Sequence, residues 1–260
     1  MKINNIEISG DGIANTIDFV YPNGNINLAA IRKNKLYNYL VLWGIRVSTC
    51  NTGMPDDAIG GIRLKKNLLG MDYWEIMYSD ASTDPSPYWL LNPMSDAKMY
   101  GGTAWVAEGQ YRYGLGGDYN GYPSFRPKEP VKVWRWTPTK SQINNAKANH
   151  SPLSIEFETA KLSGQAKLGT SDSVLIHRTW DARNLYKDSA GCQVFANNGS
   201  LVILNKWAQE HINTYKKSLG YDAANTFSYT LLTKDEFVKY NGGLYNWGLY
   251  NYNLFTFKNY

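Results

Sequence analysis

The run SLVILNKWAQEHINTYKKSLG, residues 200–220, limits the possible folds more than any other feature of the chain. Leu201, Leu204, Trp207, Ala208, Ile212, Tyr215 and Leu219 recur at three- and four-residue steps, which predicts one long amphipathic helix. Ser200 can cap its start, Lys216 and Lys217 suit its last turn, and Gly220 can stop it. The remaining apolar runs are short and rich in Val, Ile, Tyr and Trp. KLYNYLVLWGIRVST (35–49), MDYWEIMYS (71–79), TAWVAEGQYRYGLGG and EPVKVWRW each read as strands, the last ending before Thr137-Pro138. CNTGMPDDAIGG (50–61) reads as an irregular loop from its Gly, Pro, Asn and Asp. Residues 1–35 read as short strands between Asn and Gly turns. The expected fold is therefore mainly β (α+β), with one long helix.

Length and composition narrow this further. At 260 residues the chain can bury a full core, and its 14% aromatic content supplies burial that disordered chains lack. The net charge of +5 is mild and dispersed, so no nucleic-acid partner is expected. No run reaches transmembrane length, and the start MKINNIEISGDG has no apolar signal region, so neither a membrane partner nor a signal peptide is expected. The expected place of synthesis is the cytoplasm. His150, His177 and His211 are scattered and no CxxC or HExxH occurs, so no metal and no cofactor is expected. GLGGDYNG (114–121) resembles a phosphate loop only until one looks for the helix that should follow it, and it reads as a hairpin turn.

The chemistry concentrates in HRTWDARNLYKDSAGCQVF, residues 177–195. An unperturbed thiol, with pKa about 8.5, needs a nearby base to act as a nucleophile. Ser189-Ala190-Gly191-Cys192 places a small residue beside the cysteine, where a carbonyl can approach and backbone N–H groups can hold an oxyanion. His177 ends the run SVLIH and so projects from a strand end, fifteen residues before Cys192. The structural alternatives are a cysteine that is a small buried hydrophobe, which suits Cys50, and a histidine that only packs, which suits His211. His150 lies in a polar loop and is assigned no role. Asp84 in TDP reads as a turn residue.

This arrangement resembles the catalytic signature of the L,D-transpeptidase family, a histidine followed some fifteen residues later by Ser/Thr-x-Gly-Cys. A looser likeness through WGIR (43–46), STDPSPYWLLNP (82–93) and EGQYRYGLGG (108–117) is similar to a phage-encoded branch of such proteins. The resemblance implies Cys192 as nucleophile toward a peptidoglycan stem-peptide carbonyl and His177 as general base. It further implies Gly191 with the Cys192 N–H as oxyanion region, and Ser189 as the brace of the loop and imidazole. The sequence departs from the family at Ala190, where His or Arg is usual, and at Val194, where Arg or Asn is usual. Arg178 or Arg183 would then take the substrate-placing role, or be solvated loop cations.

The organisation implied is an N-terminal β extension (1–35), an L,D-transpeptidase-like domain (36–220) and a C-terminal extension (221–260). The implied function is a phage-borne cysteine peptidase or transpeptidase of peptidoglycan, virion-associated or released to the wall. The alternative is a virion tail protein that keeps the fold with weak or no catalysis. The aromatic and Asn-rich segment 241–260 is expected to pack on its own domain or to dock on another virion subunit.

Overall fold

The computed structural model describes residues 2–3, 6–47, 55–119, 121–149, 153–179 and 188–241. The chain is α+β, about 36% helix and 35% strand, around a β-rich core. In chain order the strands are β1 (Lys2–Ile3), β2 (Ile6–Glu7), β3 (Leu40–Arg46), β4 (Asp57–Lys66), β5 (Asp72–Ser82), β6 (Thr103–Val106) and β7 (Gly109–Tyr119). They continue with β8 (Tyr122–Pro127), β9 (Val131–Trp136), β10 (Lys167–Ser171), β11 (Ile176–Arg178), β12 (Gln193–Phe195) and β13 (Phe227–Thr233). The helices are α1 (Gly10–Val20), α2 (Leu28–Lys33), α3 (Pro87–Leu91), α4 (Ser95–Met99), α5 (Lys140–Ala148), α6 (Leu153–Leu162), α7 (Asn198–Leu219), α8 (Tyr221–Ala224) and α9 (Lys234–Asn241).

Eight strands close into a barrel in the order β11-β12-β5-β4-β3-β13-β7-β8, with β8 meeting β11 at Phe125 and Ile176. A separate sheet, β10-β9-β6, carries its own small core of Trp105, Trp136 and Phe157 with Leu90. Strand β3 explains the layering. All seven of its residues are buried, and alternation divides them between two cores. Leu40 and Leu42 join Ile59, Tyr229 and Leu231 in a core shared with Leu204, Trp207 and Ile212 of α7. Val41, Trp43 and Ile45 join Ile62, Leu64 and Trp74 in another, shared with Ile13 and Ile17 of α1, Leu28 and Ile31 of α2, and Phe237 of α9.

The long helix forms as the spacing predicts, three residues earlier. Asn197, not Ser200, is its cap, accepting from Gly199 N at 2.8 Å, and Gly220 ends it at φ +83°. Three other expectations need correction. Residues 10–20 and 28–33 are helices, not strands: Ser9 and Asn27 cap them, and the carboxylate of Asp18 accepts from Leu28 N and Ala29 N, both at 2.7 Å. Residues from Asp57 onward form strand β4, not a loop. Gly60 and Gly61 are there for close approach: a Cβ on Gly60 would lie 2.2 Å from Met77 O, and one on Gly61 2.5 Å from Leu204 Cδ1. Finally, residues 221–241 are no appendage, because β13 sits inside the barrel wall, parallel to β3 and antiparallel to β7. GLGGDYNG does span a hairpin, with β7 paired to β8 through Tyr119 and Tyr122. Cys50, His150, Arg183 and the segment 242–260 lie outside the described residues.

Candidate functional site

Cys192 stands one residue before β12, and His177 is the middle residue of β11. The two strands are parallel, with Ile176 beside Gln193 and His177 beside Val194. By strand alternation Cys192, two residues before Val194, lies on the His177 side of the sheet. The turn leading to it is pinned at Ser189 and Gly191. Ser189 is fully buried; its Oγ donates to Cys192 O at 2.7 Å and accepts from Gly191 N at 3.2 Å, while its carbonyl accepts from Ser86 N at 2.8 Å. Gly191 adopts φ +120°, and a Cβ there would sit 2.6 Å from Ala104 O, so both conformation and space demand glycine.

These contacts refine the implied roles. Ser189 braces the loop but makes no hydrogen bond to His177. The Gly191 N–H is spent on Ser189, whereas the N–H groups of Ala190 and Cys192 make no hydrogen bond to the described residues.

The two reactive groups are both neutral at rest. Cys192 is a free thiol, half-buried, and desolvation pushes its pKa up to about 11 although the Leu175 N–H, 3.4 Å from Sγ, and Arg126 pull the other way. Burial lowers the pKa of His177, against the Arg178 carbonyl and the charge of Asp188. The His177 Nδ1 lies 2.7 Å from that carbonyl, which can only accept, so Nδ1 carries the ring proton. Nε2 is then the basic nitrogen. It is buried with no hydrogen-bond partner, and no hydrogen bond joins it to Cys192. The expected hydrogen bond between the two is therefore not made, although the tautomer leaves Nε2 able to accept one.

Tyr119 belongs to this site and escaped the sequence reading. Its ring centroid is 4.5 Å from that of His177, and burial holds its phenol above its usual pKa. It sits in the stretch read only as a turn, so its one signal was proximity to β11 through the barrel seam. The guanidinium of Arg178 stacks 2.9 Å from the ring centroid of Tyr122, which pairs across the hairpin with Tyr119.

Behind the turn lies a buried polar network. Arg46 reaches Asp84 at 2.8 Å, Glu108 at 2.9 Å, and the carbonyls of Thr83 and Val106, both at 2.6 Å. Asp57 accepts from Val47 N at 2.8 Å and from Thr83 N at 2.7 Å. Burial, then the neighbouring charge of Asp84, push its pKa up to about 7. Gln193 ties this network to the cysteine strand: its Nε2 donates to Thr83 O at 3.1 Å and its Oε1 accepts from Tyr229 Oη at 2.9 Å. The WGIR, TDP and EGQ blocks thus each supply one charged member of a single cluster. Asp84, read as a turn residue, is a buried ion-pair partner.

No protein-family model matches the chain, and no match exists among curated proteins or solved structures. Among the described residues no group of His, Cys, Asp and Glu could hold a metal ion. No described helix is long and apolar enough to cross a membrane.

Proposed function

We propose that the chain is a cysteine acyl-transfer enzyme of L,D-transpeptidase type, phage-borne and acting on peptidoglycan stem peptides. The observation that carries this reading is the unpartnered basic Nε2 of His177 on the same sheet side as the Cys192 thiol. A general base needs a free lone pair and a neutral resting state, and this imidazole has both. The order of strand-end histidine, Ser-Ala-Gly-Cys turn and long helix supports the family likeness.

In this mechanism the thiol proton passes to His177 Nε2 as Sγ attacks the substrate carbonyl. The Cys192 N–H stabilises the oxyanion. Collapse to the thioester releases the amine, which takes its proton from the imidazolium. Water completes hydrolysis, or a second amine completes transpeptidation. Because the thiol pKa is raised, proton transfer accompanies attack, and no thiolate–imidazolium pair waits in advance.

The raised thiol pKa and the missing hydrogen bond between Cys192 and His177 also favour a second reading, a virion tail protein with residual catalysis. Mass spectrometry of muropeptides treated with wild type and Cys192→Ala separates the two. New products with wild type alone support the enzyme; identical product patterns overturn it.

A further inference from the structure

The β4–β5 hairpin ends in Asn67-Leu68-Leu69-Gly70 and presents its apolar side chains to solvent: Leu68 fully, Leu69 at 82%, with Met71 at 42%. Single exposed leucines are ordinary, but adjacent ones at the tip of a protruding turn are not. The turn is also rigid. Asn67 Oδ1 accepts from Leu69 N at 3.0 Å and Met71 N at 2.9 Å, Gly70 N donates to Asn67 O at 3.0 Å, and Gly70 takes φ +80°. A turn wired in this way holds both leucines outward instead of letting them fold back on the barrel.

The base of the tip is basic. Lys65 and Lys66 close the β4 side: Lys65 donates to Asn38 Oδ1 at 2.9 Å, and the exposed Lys66 holds its ammonium 5.4 Å from the Tyr37 ring centroid. The carboxylate that follows, Asp72, accepts from Tyr37 Oη at 2.8 Å, which turns it toward the domain. Tyr73 pairs with Lys65 across the hairpin, an amphipathic ring at the depth where headgroups would lie.

We infer that this hairpin is a docking element for an anionic lipid surface, with Leu68, Leu69 and Met71 entering the acyl boundary and Lys65 and Lys66 meeting the headgroups. A convex, two-leucine tip with two lysines at the base of one strand matches a bilayer interface, where apolar side chains and anionic charge lie a few ångströms apart. This contact needs no spanning segment, and it is independent of any chemistry at Cys192.

The test is co-sedimentation of the full chain with vesicles of phosphatidylcholine alone or mixed with phosphatidylglycerol. Binding is expected to the anionic vesicles, with an affinity that falls as salt rises. Leu68→Ser/Leu69→Ser should weaken it about ten-fold or more. Lys65→Glu/Lys66→Glu should weaken it by at least twenty-five-fold, at about five-fold per lost cation. Thermal melts of both variants serve as the folding control. The inference is overturned if anionic vesicles fail to bind the wild type, if neutral vesicles bind equally, or if the leucine variant binds unchanged. It is equally overturned if sedimentation velocity shows a wild-type dimer that the leucine variant dissociates, since a second copy would then be the occupant.

Discussion

His177 and His211 carry their ring protons on opposite nitrogens. Nδ1 of His177 faces the Arg178 carbonyl at 2.7 Å and so bears a proton, whereas Nδ1 of His211 accepts from Leu40 N at 2.8 Å and so bears none. The first leaves a base at Nε2, the second a buried N–H. One ring is suited to take a proton during a reaction; the other is a structural anchor between α7 and β3.

His211 should make the fold acid-sensitive. Burial lowers its pKa to about 4, below the unfolded value of about 6.5. As pH falls from about 6.5 to 4 the unfolded state takes up the proton first, so stability is lost across that window, up to about 3 kcal/mol. Urea melts at pH 7 and pH 4.5 measure it. His211→Phe should be less stable at pH 7, because Leu40 N–H loses its acceptor, yet lose less on acidification.

Cys192 should alkylate more slowly than a free thiol at neutral pH. With the pKa at about 11, its thiolate fraction at pH 8 is roughly a hundred-fold or more below that of an unperturbed thiol near pKa 8.5. Iodoacetamide rates between pH 7 and 11 on folded and urea-unfolded protein check this. The sign is opposite to that of an activated thiolate, and an inflection near pH 6 would contradict it. In the stability profile, the unfolded thiol ionises first, so stability contributed by this group is lost as pH rises from about 9 to 11.

His177→Ala should reduce any Cys192-dependent peptide cleavage by about 10²–10⁴-fold. Its effect on iodoacetamide alkylation at pH 10 should be small, since no hydrogen bond from His177 holds the sulfur. Equal losses in both assays would show a packing role instead of general-base catalysis.

Arg46→Met should destabilise the fold by about 3–5 kcal/mol, because the buried Asp84 and the half-buried Glu108 would lose their counter-ion. Chemical denaturation measures it, and Arg46→Met/Asp84→Leu should recover part of the loss. Gln193→Leu, which strands Tyr229 Oη and Thr83 O, should cost about 1–3 kcal/mol.

Periodicity revealed what depends on one face of one element. The α7 stripe was legible because its pattern repeats several times, and β3, β5 and β9 because each is a run rich in Val, Ile, Tyr and Trp. Signals that depend on a partner misled. Gly60 and Gly61 looked like turn residues because the need for glycine comes from Met77 O and Leu204, distant in sequence. Helix α1 was obscured by its Gly and Asn residues, although Gly10, Ile13, Ala14 and Ile17 form a buried stripe at helical spacing. At the site, the Ser189–Cys192 turn and the strand-end position of His177 were readable from local chemistry. Tyr119 was not, since only the β8–β11 seam brings the β7 end to His177. Nor were the raised pKa of Cys192 and the commitment of His177 Nδ1, which are products of burial.

Strand β13 has a consequence for the order of folding. It occupies the slot between β3 and β7, so residues 40–46 and 109–119 must wait for residues 227–233 before either has a neighbour on that side. During synthesis nearly two hundred residues separate the first strand of the wall from the one that seals it. A nascent chain released early would hold two open β edges, each able to pair with another chain. The barrel is thus a clasp fastened by its last strand, and slow elongation or loss of residues 227–233 should send the chain to aggregates instead of a smaller fold.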